Sequence, residues 1–118
     1  MKVAVIGTGY VGLVSGVCLA EAGHDVVCVD LDEAKVARIN AADAPIHEKG
    51  LDELLAKACG RNFRATTDLR GAVLGSDLSM IAVGTPFDGE EIDLKYIRAA
   101  ARQIGEALKD KPSYHVVV

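Results

Sequence analysis

A glycine-rich turn between a short apolar run and an apolar helical stripe constrains this fold more than any other feature of the sequence. The run Val3–Ile6 is short, continuous and apolar, which predicts a strand buried on both faces. The turn follows at once and reads Gly7-Thr8-Gly9-Tyr10-Val11-Gly12. Beyond it, apolar residues recur at spacings of three and four and predict a helix, ended by Gly23, whose core-facing residues are Val11, Val14, Cys18 and Ala22.

Each glycine of this turn has a separate physical role. Gly7 permits the tight exit from the strand, Gly9 lets a pyrophosphate approach the backbone, and Gly12 lets the helix pack closely on the strand. Free N–H groups and the helix dipole would then stabilise the phosphate charge. Such glycines can simply shape a turn, but the strand before them and the helix after them favour a dinucleotide-binding site.

An acidic residue stands where such a site needs one. Asp30 ends the second predicted strand, Val26–Val29, and comes 18 residues after Gly12. A carboxylate there accepts hydrogen bonds from the adenosine ribose hydroxyls. It would also repel a 2′-phosphate, so it favours NAD over NADP. Asp30 could instead cap a helix, but Asp32 is the better candidate for that role.

Two further positions could contact the cofactor. Lys35 lies one helical turn beyond Asp30 and could reach the ribose or the adenine edge, although a lysine on a helix surface is usually just solvated. Thr85 follows the fourth predicted strand, Leu78–Val83, at the end where open parallel sheets bind ligands. Its hydroxyl could contact the cofactor or satisfy the backbone of its own turn.

The rest of the chain continues the alternation of strands and helices. After a loop at Ala44–Gly50 we expect, in order, these elements: a helix at Leu51–Ala58, a weak strand at Phe63–Thr66, a helix from about Asp68 to Leu74, the strand Leu78–Val83, an acidic loop at Phe87–Ile92, a helix that Asp93 caps and Pro112 ends, and a strand from His115. The inward face of the long last helix is predicted to be Leu94, Ile97, Ala101, Ile104 and Leu108.

This order predicts an α/β fold of the Rossmann type, a doubly wound parallel sheet with strand order 3-2-1-4-5. We expect residues 1–118 to be one dinucleotide-binding domain. The last strand is truncated at three valines, so we also expect a fragment of a longer enzyme.

Charge and cysteine content exclude several other classes of protein. A net charge of −4 does not suit a nucleic-acid or anionic-membrane binder. Three cysteines without a Cys-x-x-Cys spacing argue against a disulfide framework or a zinc site and fit a reducing cytoplasm. We expect Cys18 and Cys28 to be buried structural thiols. No nucleophile–base pair and no metal spacing stands out, so no catalytic or metal-binding residue is predicted in this chain.

Several of these segments together resemble one family. They are Val3–Leu13, Val29-Asp30, Pro45–Leu51, Ala65–Asp68 and Val83-Gly84-Thr85-Pro86 with Asp93-Leu94 after it. In order and over the whole chain they resemble the UDP-glucose/GDP-mannose dehydrogenases. Tyr10-Val11 inside the glycine turn, joined with the Gly-Thr-Pro after the fourth strand, is a specific combination. Lys49 departs from the family, which commonly has a second proline there.

The resemblance implies a four-electron oxidation in which the C6 alcohol of a nucleotide sugar becomes a carboxylate and two NAD are reduced. The family's catalytic cysteine and its assisting lysine lie in later domains, so Cys18, Cys28 and Cys59 do not inherit a role. The resemblance also implies a homodimer or higher homo-oligomer at full length. It places cofactor contacts at Gly7, Thr8, Gly9, Tyr10, Val11, Gly12, Asp30, Lys35, Val83, Gly84, Thr85 and Pro86.

Two alternatives stay open at this point. One is another NAD-dependent Rossmann dehydrogenase, of the hydroxyacid or 6-phosphogluconate kind. Those relatives lack the long insert at Ala44–Gly60, which counts against them. The other is a non-catalytic nucleotide sensor, which a catalytic cysteine segment elsewhere in the full-length gene would exclude.

Overall fold

The computed structural model describes all residues from Met1 to Val118 and alternates strands with helices along the chain. The strands are β1 (Lys2–Ile6), β2 (Asp25–Val29), β3 (Phe63–Thr66), β4 (Leu78–Ile81) and β5 (Val116–Val117). The helices are α1 (Tyr10–Glu21), α2 (Glu33–Asn40), α3 (Leu51–Ala58), α4 (Leu69–Leu74) and α5 (Lys95–Leu108). None of these helices has the combination of length and apolarity that crossing a lipid bilayer requires.

The strands form one parallel sheet in the order β3-β2-β1-β4-β5, which confirms the predicted topology. Strand β1 is central and β3 lies at an edge, as the strand order requires. Because all strands run in the same direction, the segments that follow β1, β2 and β4 leave the sheet at the same end, at the carboxyl ends of the strands. Backbone hydrogen bonds fix them there: Gly7 N–H donates to Val29 C=O at 2.8 Å and Ala82 N–H to Ile6 C=O at 2.8 Å.

Both faces of the sheet are covered, because alternate residues of β1 enter two separate cores. Val3 and Val5 pack with residues of α1, α2 and α3 on one face. Ala4 and Ile6 pack with residues of α4 and α5 on the other. A central strand buried on both sides explains why the Val3–Ile6 run lacks the polar alternation of a half-exposed strand.

The predicted core face of α1 is wrong in part: Val14 packs against the core, whereas Val11, Cys18 and Ala22 are exposed. The helix buries Gly12, Leu13, Gly16, Val17 and Ala20. Val11 is 70% exposed and Cys18 is exposed, so neither belongs to the core. The glycines turn the helix: a Cβ at Gly12 would collide with the Gly7 carbonyl, and one at Gly16 would lie 2.8 Å from Cys28 Sγ. The helix therefore places its glycine face on the sheet rather than the stripe with the most regular apolar spacing.

Smaller differences concern β4 and α5. Strand β4 ends at Ile81, two residues before the predicted end. Helix α5 buries Ala100, Ile104 and Ala107, whereas the predicted Leu94 and Ala101 are exposed. Asp93 Oδ1 accepts the Lys95 N–H at 2.9 Å, although Leu94 occupies the cap position. The buried face of α5 therefore consists of two alanines and Ile104, which share a core with Ala72 and Val73 of α4.

Candidate dinucleotide site

The glycine turn joins β1 to α1 and leaves open space above its middle residue. Gly7 has a φ of 113°, and a Cβ there would lie 2.5 Å from the Ala82 carbonyl oxygen, so only glycine fits. Gly9 is the cap residue of α1, and a Cβ on it would meet nothing within 4 Å. No side chain caps the helix, and its first backbone bond runs from Leu13 N–H to Gly9 C=O. The preceding N–H groups of the first turn are therefore left for an anion.

Asp30 follows β2 at the same carboxyl end of the sheet. Three donors hold its carboxylate. Thr8 Oγ1 donates to Asp30 Oδ2 at 2.5 Å. The Asp32 N–H donates to Asp30 Oδ1 at 3.0 Å, and Lys35 Nζ lies 3.4 Å from Oδ2. A carboxylate offers about four acceptor positions, so one remains on Oδ1 for a ligand. The long contact with Lys35 is the easiest of the three to displace.

The protein environment keeps Asp30 ionised. Partial burial raises the pKa of this carboxyl, but hydrogen bonds from Thr8, from the Asp32 N–H and from Lys35 outweigh burial, so the pKa lies below its usual value. The carboxylate remains 18% exposed and the Lys35 side chain 34% exposed. An ionised, partly exposed acceptor is what two ribose hydroxyls need as a partner.

The turn after β4 lies beside the glycine turn. An added Cβ on Gly7 would sit 3.1 Å from the Val83 amide nitrogen, which shows how close the two segments run. Val83 is half-buried, whereas Gly84, Thr85 and Pro86 are exposed. Thr85 is thus accessible to a ligand that lies over the two turns.

With this geometry in place, comparison with known proteins decides the family. The model of the UDP-glucose/GDP-mannose dehydrogenase family, NAD binding domain, matches residues 1–118. The chain belongs to this family. NAD is therefore the cofactor of the domain, which confirms the prediction, and a hydroxyacid or 6-phosphogluconate dehydrogenase is not the better assignment.

Individual relatives support the family assignment. The chain is 55% identical to a UDP-glucose 6-dehydrogenase of Rhizobium meliloti over 115 residues, covering 92% of this chain and 26% of that protein. It is 46% identical to a GDP-mannose 6-dehydrogenase of Azotobacter vinelandii, covering 100% of this chain and 28% of that protein. The chain thus spans about a quarter of the length of the curated relatives it matches.

Solved structures agree with this result. A ternary complex of GDP-mannose dehydrogenase from Pseudomonas aeruginosa superposes with a TM-score of 0.95 at 41% identity, over 99% of this chain and 27% of that one. A UDP-glucose dehydrogenase from Pyrobaculum islandicum gives a TM-score of 0.91 at 37% identity, over 98% of this chain and 27% of that one. The Rossmann-type fold of this family member is thereby shown.

The cysteines of this NAD-binding domain differ from one another in environment. Cys28 is fully buried, and burial together with the nearby Cys59 raises its pKa to about 12. Burial also raises the pKa of the half-buried Cys59, whose Sγ donates to the Ile39 carbonyl at 3.1 Å. Cys18 was expected in the core, but it is exposed because α1 presents its glycine face to the sheet. No group of three His, Cys, Asp or Glu side chains is arranged to hold a metal ion.

Two contacts at the site could not be foreseen from sequence. Tyr10 Oη donates to the His47 carbonyl at 3.1 Å and so joins the glycine turn to the loop before α3. Thr8 turns its side chain into the protein toward Asp30 instead of outward. Both contacts join residues far apart in the chain, and the only sequence signal was that each residue stands inside the glycine turn.

Proposed function

We propose that this chain holds NAD for a cytoplasmic nucleotide-sugar 6-dehydrogenase that oxidises UDP-glucose, GDP-mannose or a similar sugar nucleotide to the uronic acid. One observation carries the proposal: three features lie together at the carboxyl end of the sheet. They are open space over Gly9, uncapped N–H groups at the start of α1, and an ionised Asp30 with a free acceptor position. These features fit the pyrophosphate and the ribose of a dinucleotide in that order.

The residues divide the binding of NAD between them. The N–H groups that follow Gly9 would receive the pyrophosphate, where the helix dipole favours negative charge. Asp30 would accept from the ribose hydroxyls, and Lys35, which must yield part of its contact with Oδ2, would turn toward the ribose or to water. Thr85 would face the cofactor from the turn after β4. When bound, NAD supplies the hydride acceptor, and two NAD are needed because converting an alcohol to a carboxylate removes four electrons.

The relatives, and not this chain, support the proposed substrate class. Proteins named for UDP-glucose and for GDP-mannose are both among them, at 55% and 46% identity. We therefore propose a nucleotide sugar without choosing between the two. We further propose that the catalytic residues, the sugar-nucleotide site and a homodimeric or higher assembly involve the remainder of the protein.

Turnover assays test this proposal. The full-length protein should release two NADH for each sugar nucleotide that it oxidises, with UDP-glucose, GDP-mannose and their N-acetyl analogues as the panel. Residues 1–118 alone should bind NAD weakly and release none. NADH formation by residues 1–118 alone, or none by the full-length protein with any sugar nucleotide, would contradict the proposal.

A further inference from the structure

The Thr8 side chain is the polar group of the glycine turn that faces inward. It is only 1% exposed, although its neighbour Gly9 is open to solvent. Its Oγ1 donates to Asp30 Oδ2 at 2.5 Å, the shortest of the contacts to that carboxylate. The hydroxyl is therefore directed at the ribose-binding side chain and away from the space where the pyrophosphate would lie.

The three donors to Asp30 differ in how firmly they can hold it. The Asp32 N–H fixes Oδ1 from the backbone. Lys35 Nζ approaches Oδ2 at 3.4 Å from a long, partly exposed side chain that can turn to water. Thr8 is short and buried and belongs to the turn itself, so it is the side chain that can fix the Oδ2 side of the carboxylate.

We propose that Thr8 is a positioning residue for NAD: its hydroxyl orients the Asp30 carboxylate toward the ribose and joins the phosphate-binding turn to the ribose-binding residue. The inference rests on the proposed role of Asp30. In this arrangement the carboxylate loses little side-chain freedom when the cofactor binds, because Thr8 and the Asp32 N–H have already fixed it. A movement of the turn would also move the ribose acceptor.

The electrostatics of Asp30 give this proposal a pH signature. Burial raises its pKa, and the Thr8 hydrogen bond is the largest of the effects that lower it, ahead of the Asp32 N–H and of Lys35. Lys35, from α2, is the charged side chain that contacts this carboxylate, and Asp32 reaches it only through the backbone N–H. Without the Thr8 hydroxyl the pKa rises, and NAD binding should fail at a higher pH on acidification.

A double-mutant cycle with a conservative rescue tests the role of Thr8. NAD dissociation constants are measured by calorimetry for the wild-type full-length protein, Thr8→Val, Thr8→Ser and Asp30→Ala, and for Thr8→Val in the Asp30→Ala background. We expect Thr8→Val to weaken NAD about tenfold, or about 1.4 kcal/mol. Thr8→Ser should restore most of the affinity, and Thr8→Val should have no further effect once Asp30 is alanine. The pH at which NAD binding is half lost should rise in Thr8→Val.

Three results would overturn the inference. If Thr8→Val binds NAD as tightly as wild type does, the Thr8 hydroxyl does not position Asp30 for the cofactor. If Thr8→Val weakens NAD binding by the same factor in the Asp30→Ala background as in wild type, Thr8 acts through the fold of the turn and not through Asp30. If Asp30→Ala binds NAD with wild-type affinity, Asp30 does not bind the ribose, and the inference about Thr8 is overturned as well. If Thr8→Val is unfolded by circular dichroism, Thr8→Ala takes its place in the cycle, with the same outcomes.

Discussion

At the level of single residues, the proposed NAD site places the Asp30 carboxylate beside the adenosine ribose, where NADP carries an additional phosphate. In NADP a 2′-phosphate would face an ionised, partly shielded carboxylate and would also displace a hydroxyl hydrogen bond. Hydrogen bonds to charged groups contribute roughly 1.5–3 kcal/mol each. Lys35 opposes the resulting preference for NAD because its ammonium attracts phosphate, but its Nζ lies as far as 3.4 Å from Asp30 Oδ2.

We therefore expect NAD to bind on the order of a hundredfold or more tightly than NADP. Asp30→Ala should weaken NAD binding and narrow that ratio, as measured by paired titrations with the two cofactors. Asp110→Ala is the matched control, because it removes an exposed carboxylate near the C-terminal end of α5. Equal wild-type affinities, or a ratio that Asp30→Ala leaves unchanged, would show that Asp30 is not the selector.

The three thiols allow a separate test of side-chain placement. Cys28 is fully buried with a pKa of about 12, so it should not react with a thiol reagent at pH 8 in the folded chain. The exposed Cys18 should be labelled first, and Cys18→Ser should remove that fast phase. Mass spectrometry of peptides from alkylated protein identifies the site. Labelling of Cys28 as fast as Cys18 would mean that α1 is rotated on the sheet.

How much of the site the sequence could predict also differs from residue to residue. Asp30 and Asp32 were predicted correctly in place, because their positions relative to the end of a strand and the start of a helix are local features. Asp32 accepts the N–H groups of Ala34 and Lys35, as an N-cap should. The inward turn of Thr8 could not be predicted, since it depends on a carboxylate that β2 brings beside the turn.

At the level of elements, the glycine turn combines two demands that substitution can separate. An alanine Cβ at Gly9 would meet nothing, whereas one at Gly12 would collide with the Gly7 carbonyl and lie 3.3 Å from the Ala82 Cβ. We therefore expect that glycine is needed at position 9 for the ligand, whereas Gly12 is needed for the packing of α1 on the sheet.

Gly9→Ala should leave the free energy of unfolding within about 0.5 kcal/mol of wild type while weakening NAD on the order of tenfold or more. Gly12→Ala should destabilise the fold by roughly 1–3 kcal/mol, because the methyl group overpacks the turn. Urea denaturation without ligand and NAD titration separate the two effects. A Gly9→Ala protein that binds NAD normally would contradict the placing of the pyrophosphate.

The helices show where apolar spacing fails as a guide. Strand β3 was predicted with the observed bounds and the sheet order followed from the alternation of elements, because both depend on patterns that the whole sheet shares. The faces of α1 and α5 were predicted wrongly in part. The buried face of α1 includes two glycines and that of α5 two alanines, and the spacing of large apolar residues alone does not indicate such small-residue contacts.

At the level of the whole molecule, the parallel sheet brings three distant segments together at the carboxyl ends of its strands. They are the turn after β1, Asp30 after β2 and the turn at Val83–Pro86 after β4. They come together because β1 lies between β2 and β4 in the sheet order. The site is thus a consequence of topology, and NAD is expected to lie across the switch point where the strand order reverses.

A crystal structure of the full-length protein with NAD bound tests this arrangement most directly. We predict the adenosine ribose hydroxyls within about 3.2 Å of the Asp30 carboxylate and the pyrophosphate against the N–H groups that follow Gly9, with Thr8 still bonded to Asp30. A complex in which the ribose lies away from Asp30, or in which the pyrophosphate is not at the start of α1, would contradict it.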